Sequence, residues 1–205
     1  MAYSVKKHLL TRDKDPVAFV QTPNGGASLR PLYLIIHYTA GTAASSAINW
    51  FRNKQSSASA HLVIGPDGDV TQMMPFNKLC WHAGKSRWND LVGMNAYSVG
   101  IEIVNAGKLR KSEAGTWLAW SGEAIAASDV LMATHKHETN PAGWHIFTEA
   151  QIAAVVDAGL ALQTEYHFLD VLGHDDIAPG RKVDPGPAFP MISVRSRILG
   201  RQDNG

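Results

Sequence analysis

Along the chain the apolar positions fall into short runs set between turn residues. Leu32 to Tyr38 is apolar and β-branched, bounded by Pro31 and Gly41, and predicts a buried strand. From Ala43 to Gln55, Ala44, Ala47, Ile48 and Phe51 share one helical face, with Thr42 or Ser45 available as N-cap. SAHLVIGPDGDVTQMMP then predicts a hairpin, with strands at about Ala60 to Ile64 and Val70 to Met74 around Pro66, Asp67 and Gly68. Ser98 to Val104 reads as a second buried strand whose one charge is Glu102. Thr148 and Gln151 have capping-box spacing and open the clearest helix, where Ile152, Val155, Val156 and Leu160 form a stripe toward His167. Residues 22 to 31 read as a turn-rich loop. After Val171 and Leu172, the prolines and glycines of GHDDIAPGRKVDPGPAF exclude regular structure. Strands mixed with crossover helices predict an α/β fold, one domain over residues 1–205 around one sheet, with an insertion at roughly Asn105 to Phe147.

Composition narrows the function classes. The 205 residues carry 19 Lys and Arg against 18 Asp and Glu, a net charge of +1, which excludes a nucleic-acid binder held by bulk charge. Arg195, Arg197 and Arg201 near the C-terminus read as a solvated tail. A hydrophobic share of 45% excludes disorder, and the single Cys80, read as a small buried residue, excludes a disulfide framework or a cysteine-rich zinc module. No run has the length of a signal peptide core or a membrane span. The expectation is a cytoplasmic protein without a membrane partner, carried or released from the cytoplasm, if at all, by another system; oligomeric state is not legible.

The nine histidines are the candidate chemistry. His37 ends a buried strand, a common place for functional groups in α/β proteins and also for an ordinary polar strand end. His174 opens the Pro/Gly-rich loop, and Asp184 follows in the same loop. Two imidazoles and a carboxylate leave a fourth position open on zinc, the pattern of a catalytic site, although Asp175 and Asp176 compete for the ligand role. Glu102 in an apolar strand is either turned to solvent or buried with a raised pKa, which suits proton transfer. Lys182 is either a surface lysine or a cation placed to stabilise an oxyanion. In the insertion, His135 and His137 would share a face only on a strand, where a second metal site would be possible. Its tryptophans, Trp117, Trp120 and Trp144, offer flat apolar surface to a ligand or to the core.

LIIHYTAG, SAHLVIGPDGDVTQMMPFNKLCWHAG, NAYSVGIEIVNAG and GHDDIAPGRKVDPGPAF stand in this order along the chain. Together they resemble the zinc-dependent N-acetylmuramoyl-L-alanine amidases of the type 2 amidase family, similar in fold to phage amidase lysozymes and peptidoglycan recognition proteins. The resemblance covers about residues 31–189 apart from the insertion. It implies a central mixed sheet flanked by helices. It also implies one zinc per chain held by His37, His174 and Asp184, with Glu102 handling protons and Lys182 at the oxyanion. His61, Trp81 and His82 are implied to line the cleft, binding substrate or holding the ligands in position, and the substrate-binding Asn95, with Tyr97, precedes the Glu102 strand and is expected to touch the peptide stem. The implied reaction is hydrolysis of the amide between the lactyl group of N-acetylmuramic acid and L-alanine, with a zinc-activated water, in peptidoglycan or its muropeptides. A recognition module of the same fold that binds without cutting is the alternative, which the complete residue set disfavours. Muropeptide recycling, phage endolysis and an exported effector all fit this reading.

Overall fold

Alternation within the buried strands builds a sheet with two different faces. Residues 2–200 are described by the structure, a computed structural model. Its central sheet has six strands, in the order Asp170–Gly173, Tyr33–Tyr38, Ser98–Ile103, Leu62–Ile64, Val70–Gln72 and Ala18–Phe19. The first four run parallel, and the Leu62–Ile64 and Val70–Gln72 strands form the expected antiparallel hairpin. Leu34, Ile36, Val99, Ile101 and Ile103 point to one face. There they pack on helix α2 (Glu149–Tyr166) and on helix α4 (Met191–Leu199), through Val155, Val156, Leu162, Val194 and Ile198. The other face carries Ile35, His37, Gly100 and Glu102. Helix α1 (Ala44–Arg52) covers part of it with Ala47 and Phe51 against Val63 and Met73.

Helix α2 begins with the capping box foreseen at Thr148 and Gln151, but its stripe is broken, because Leu160 is 42% exposed. Helix α1 starts after Ala43 with no side-chain cap, since the Thr42 hydroxyl is used by Glu123 instead. Within residues 22–31 the structure has a strand, Gly25–Ser28, paired with Lys78–Cys80. Gly25 permits this pairing, because a Cβ there would sit 2.1 Å from the Leu79 carbonyl oxygen. The Pro/Gly-rich segment also contains one helical turn, α3 (His174–Ile177), because its prolines all follow that turn. The arginines Arg195 and Arg197 lie in α4 rather than a solvated tail, and Arg195 pairs with Asp170 on the sheet edge. Arg201 lies outside the described residues.

Strands at Tyr3–Lys6, Leu9–Arg12 and Asp15–Pro16 form a small antiparallel sheet that places Leu10 in the main core. Its turns use Lys7, His8, Asp13 and Lys14 at positive φ, so no glycine marks them. Residues 108–145 form a five-stranded antiparallel sheet with a small core of Ala106, Leu109, Ala119 and Ile125. No helix among the described residues is long and apolar enough to cross a membrane. Cys80 is fully buried, and burial pushes its thiol up to about 12.

Candidate active site

His37, Glu102 and His174 stand at the C-terminal ends of parallel strands of the central sheet. His37 and Glu102 are register partners in neighbouring strands, so they stand side by side on the face away from α2. His174 follows the Asp170–Gly173 strand directly as the first residue of α3. The loop after α3 folds back, with the Asp184 carbonyl accepting from the Asp175 amide at 2.8 Å, and this returns the Asp184 carboxylate to the same point.

His37 Nδ1 lies 2.9 Å from His174 Nδ1 and 3.1 Å from Asp184 Oδ2, and His174 Nδ1 lies 2.9 Å from that same oxygen. Carbonyls decide where the protons are. His174 Nε2 faces the Ala83 carbonyl at 3.1 Å, which only accepts, so the proton sits on Nε2 and Nδ1 keeps its lone pair. Arg181 Nη2, 3.3 Å from Nε2, donates instead to the Ala83 and Lys85 carbonyls. His82 Nε2 likewise faces the Ser98 carbonyl at 3.3 Å, which leaves His82 Nδ1 to accept from His37 Nε2 at 3.0 Å. His37 therefore also presents a lone pair at Nδ1. Three electron-pair donors converge with no proton between them, and a cation satisfies all three. Two nitrogens and one oxygen suit zinc.

Electrostatics agree with this arrangement. Burial, with the neighbouring His174, lowers His37 to about 4, so a proton is a poor substitute for the cation. Burial pushes the Asp184 carboxyl up, and a proton or positive charge set against it by His174 and His37 holds it well below the usual range; with lone pairs on both Nδ1 atoms, a cation takes that role. Burial and the Asp184 charge raise Glu102 well above the ordinary carboxyl value, with Lys182 pulling the other way. Glu102 is buried, not turned to solvent, and its Oε2 has no hydrogen-bond partner.

A cavity of about 780 Å³ opens over the cluster, lined by Glu102, His174, Asp184, Lys182, Trp81 and His82 among others. The remaining expected substrate contacts lie elsewhere. His61 is fully buried, accepting from the Gly100 amide and donating to the Lys78 carbonyl, so it shapes the sheet and does not reach the cavity. Asn95 Oδ1 accepts from the amides of His82 and Ala83, which fixes the loop carrying Trp81 and His82. Tyr97 packs beside Ile35 and Met94. His82 is buried, with burial as the main cause of its lowered pKa, and its ring lies against Gly100, where a Cβ would come within 2.4 Å.

His135 and His137 lie in a turn after the Val130–Thr134 strand, not on the strand. Among the described residues, His37, His174 and Asp184 form the one group with metal-ligand geometry. His135 Nε2 instead pairs with Asp175 Oδ2 at 2.9 Å, and Lys136 pairs with Asp175 and Asp176, so residues 135 and 136 grip α3. Trp144, 1% exposed, packs on Gly186 in the Asp184 loop. This support carried no signal in sequence, because its partners are forty residues apart.

Residues 27–187 match the family model described as N-acetylmuramoyl-L-alanine amidase. Escherichia coli (strain K12) N-acetylmuramoyl-L-alanine amidase AmiD is 30% identical over 173 residues, 82% of this chain and 53% of that protein. The 1,6-anhydro-N-acetylmuramyl-L-alanine amidase AmpD of Enterobacter cloacae is 33% identical over 147 residues, 71% of this chain and 59% of that protein. The chain thus spans little more than half the length of these curated relatives. Among solved structures, E. coli AmiD in complex with the substrate anhydro-N-acetylmuramic acid-L-Ala-D-gamma-Glu-L-Lys is similar with a TM-score of 0.62 and 27% identity. The match covers 96% of this chain and 65% of that one. An endolysin amidase, LysCS from Clostridium intestinale URNW, shares the fold, with a TM-score of 0.59 and 17% identity over 91% of this chain and 96% of that one.

Proposed function

This chain belongs to the N-acetylmuramoyl-L-alanine amidase family, and on that premise we propose that it hydrolyses the amide joining the lactyl group of N-acetylmuramic acid to L-alanine in peptidoglycan or its muropeptides. The observation that carries the reading is the convergence of two imidazole nitrogens and a carboxylate oxygen beside a buried carboxyl whose Oε2 has no hydrogen-bond partner. His37, His174 and Asp184 would hold one zinc ion. When bound, zinc supplies Lewis acidity, lowering the pKa of a water to about 7 and polarising a carbonyl.

The other residues move charge. Glu102 accepts a proton from the attacking water and returns it to the leaving amine nitrogen. Burial and Asp184 raise its proton affinity and Lys182 lowers it, a balance suited to a group that must both take and give. The Lys182 ammonium stabilises the negative charge that develops on the carbonyl oxygen. Trp81, exposed on the same cavity, offers its indole to the substrate. His82 and Asn95 act by holding His37 and this loop in place.

Mass spectrometry of products from intact sacculi and from a soluble anhydro-muropeptide, with metal analysis of the same protein, tests the reading. A single cut at the lactyl-alanine amide by a protein with about one zinc per chain is expected. Glu102→Gln and Lys182→Ala should keep zinc and lose about a hundredfold or more in rate. Asp184→Ala should lose zinc. Binding of both substrates without turnover by the zinc-loaded protein would leave a recognition module instead.

A further inference from the structure

Among the described residues three tryptophans are exposed, Trp50 at 56%, Trp81 at 41% and Trp120 at 74%, and all three line the one cavity over the metal cluster. They come from separate elements. Trp50 is on α1, Trp81 follows the Lys78–Cys80 strand, and Trp120 is at the tip of the hairpin formed by Trp117–Leu118 and Ala124–Ile125. Single exposed apolar residues are ordinary on a protein surface, but three indoles converging on one cavity mark a binding surface.

The hairpin tip is anchored as a binding element would be. The Ala119 amide donates to the Glu123 carbonyl at 2.8 Å and the Gly122 amide to the Ala119 carbonyl at 3.0 Å, which closes the turn. Gly122 has φ +92°, a conformation that a side chain would strain. Ala119 is buried with Leu109 and Ile125, and the Thr42 hydroxyl donates to the Glu123 carboxylate. Residues 41–43 precede α1, so this bond ties the tip to the segment leading toward Trp50. The backbone that carries Trp120 is held in place, while its indole adds little to the core.

We infer that Trp50 and Trp120 form a subsite for a neutral pyranose ring, the next sugar of a glycan strand beyond the muramoyl residue whose amide is cut. A pyranose presents a C–H face that stacks on an indole and an edge of hydroxyls that needs hydrogen bonds. The polar side chains that accompany these two tryptophans in the lining, from α1, the residues just before it and the hairpin, are Thr42, Ser46, Ser121 and Glu123. They supply hydroxyls and one acceptor but no cation, which fits an uncharged sugar and disfavours the carboxylates of a peptide. The lining cations, Arg181 and Lys182, belong to the Asp184 loop. The inference deepens the amidase reading by naming glycan strands as the preferred substrate.

Two measurements test it. Titration with a β-1,4-linked N-acetylglucosamine tetramer, which has no peptide, should quench tryptophan fluorescence saturably, and the Trp50→Ala/Trp120→Ala double variant should lose that response. For the enzyme, the ratio of KM on glycan strands to KM on a single muropeptide should rise about tenfold for each tryptophan removed. Ile192→Ala, exposed on α4 and outside the lining of this cavity, should leave that ratio as in the wild type. Undiminished quenching in the double variant, or an equal rise of KM on both substrates, would overturn the subsite. An equal rise would assign the indoles to the muropeptide itself. A wild-type protein that binds the tetramer but cuts neither substrate would sink the amidase reading and leave the subsite standing.

Discussion

At the residue scale, the site depends on hydrogen bonds that fix imidazole tautomers. His82 passes the preference of the Ser98 carbonyl to His37, and so keeps the His37 Nδ1 lone pair on the cluster. His82→Ala frees His37 Nε2 and should weaken zinc binding about 10- to 100-fold in competition with a chelator. His82→Gln, whose amide oxygen can accept from His37, should recover much of that loss, and nitrogen NMR of the apo protein should report the Nε2–H tautomer at His37. His61 tests burial alone. Its folded pKa is lowered to about 4 by desolvation, so below 6.5 the unfolded chain binds a proton that the folded chain refuses. Stability contributed by neutral His61 is present above pH 6.5 and is lost as pH falls toward 4, by about 3 kcal/mol. Urea melts of chelated protein across this window should show a slope about one proton shallower in His61→Gln, which preserves an acceptor and a donor. An unchanged slope would mean that His61 protonates without opening the fold.

At the scale of elements, the helical turn α3 is too short to hold its own shape. His174 is placed by what grips that turn, namely the Asp175 side chain held by buried His135, the Lys136 pair and Asp176 Oδ2 accepting from the Gly173 amide at 2.7 Å. Truncating His135 leaves a buried carboxylate short of one partner. His135→Ala should cost about 1–3 kcal/mol in urea melts. It should also speed hydrogen exchange in residues 174–177 and weaken zinc binding, although the residue touches no ligand atom. Loss of stability with zinc affinity intact would restrict this grip to folding.

At the scale of the whole molecule, the three donor atoms come from residues 137 and 147 positions apart in the chain. A cation bound there links the central sheet to the C-terminal loop and favours the folded state by mass action. With free zinc at a thousand times its Kd, stabilisation should be about 4 kcal/mol, or about 10 °C in Tm for a chain of this size. Thermal melts with zinc and with chelator should show this difference, and Asp184→Ala should show little of it.

The sequence by itself determined the elements whose signals are local. Apolar runs placed the His37 and Glu102 strands, turn residues placed the hairpin, and the Thr148–Gln151 spacing placed the start of α2. Four ordered motifs carried the family, and with it the group His37, His174, Asp184 and Glu102. Turns at Lys7, His8, Asp13 and Lys14 left no mark, because their left-handed backbone is held by pairing rather than by glycine. Roles that depend on distant partners were legible only in part. His61 and Asn95 matched the substrate-binding pattern, yet tertiary structure occupies both His61 nitrogens and Asn95 Oδ1 with backbone groups. Trp117, Trp120 and Trp144 read alike in sequence, and only packing separated them. Trp144 fills the space at Gly186, Trp117 covers Gly143, and Trp120 is left exposed on the cavity. Local sequence sets backbone preference and pattern, whereas which face of an indole meets protein or open cavity depends on atoms brought together from remote segments.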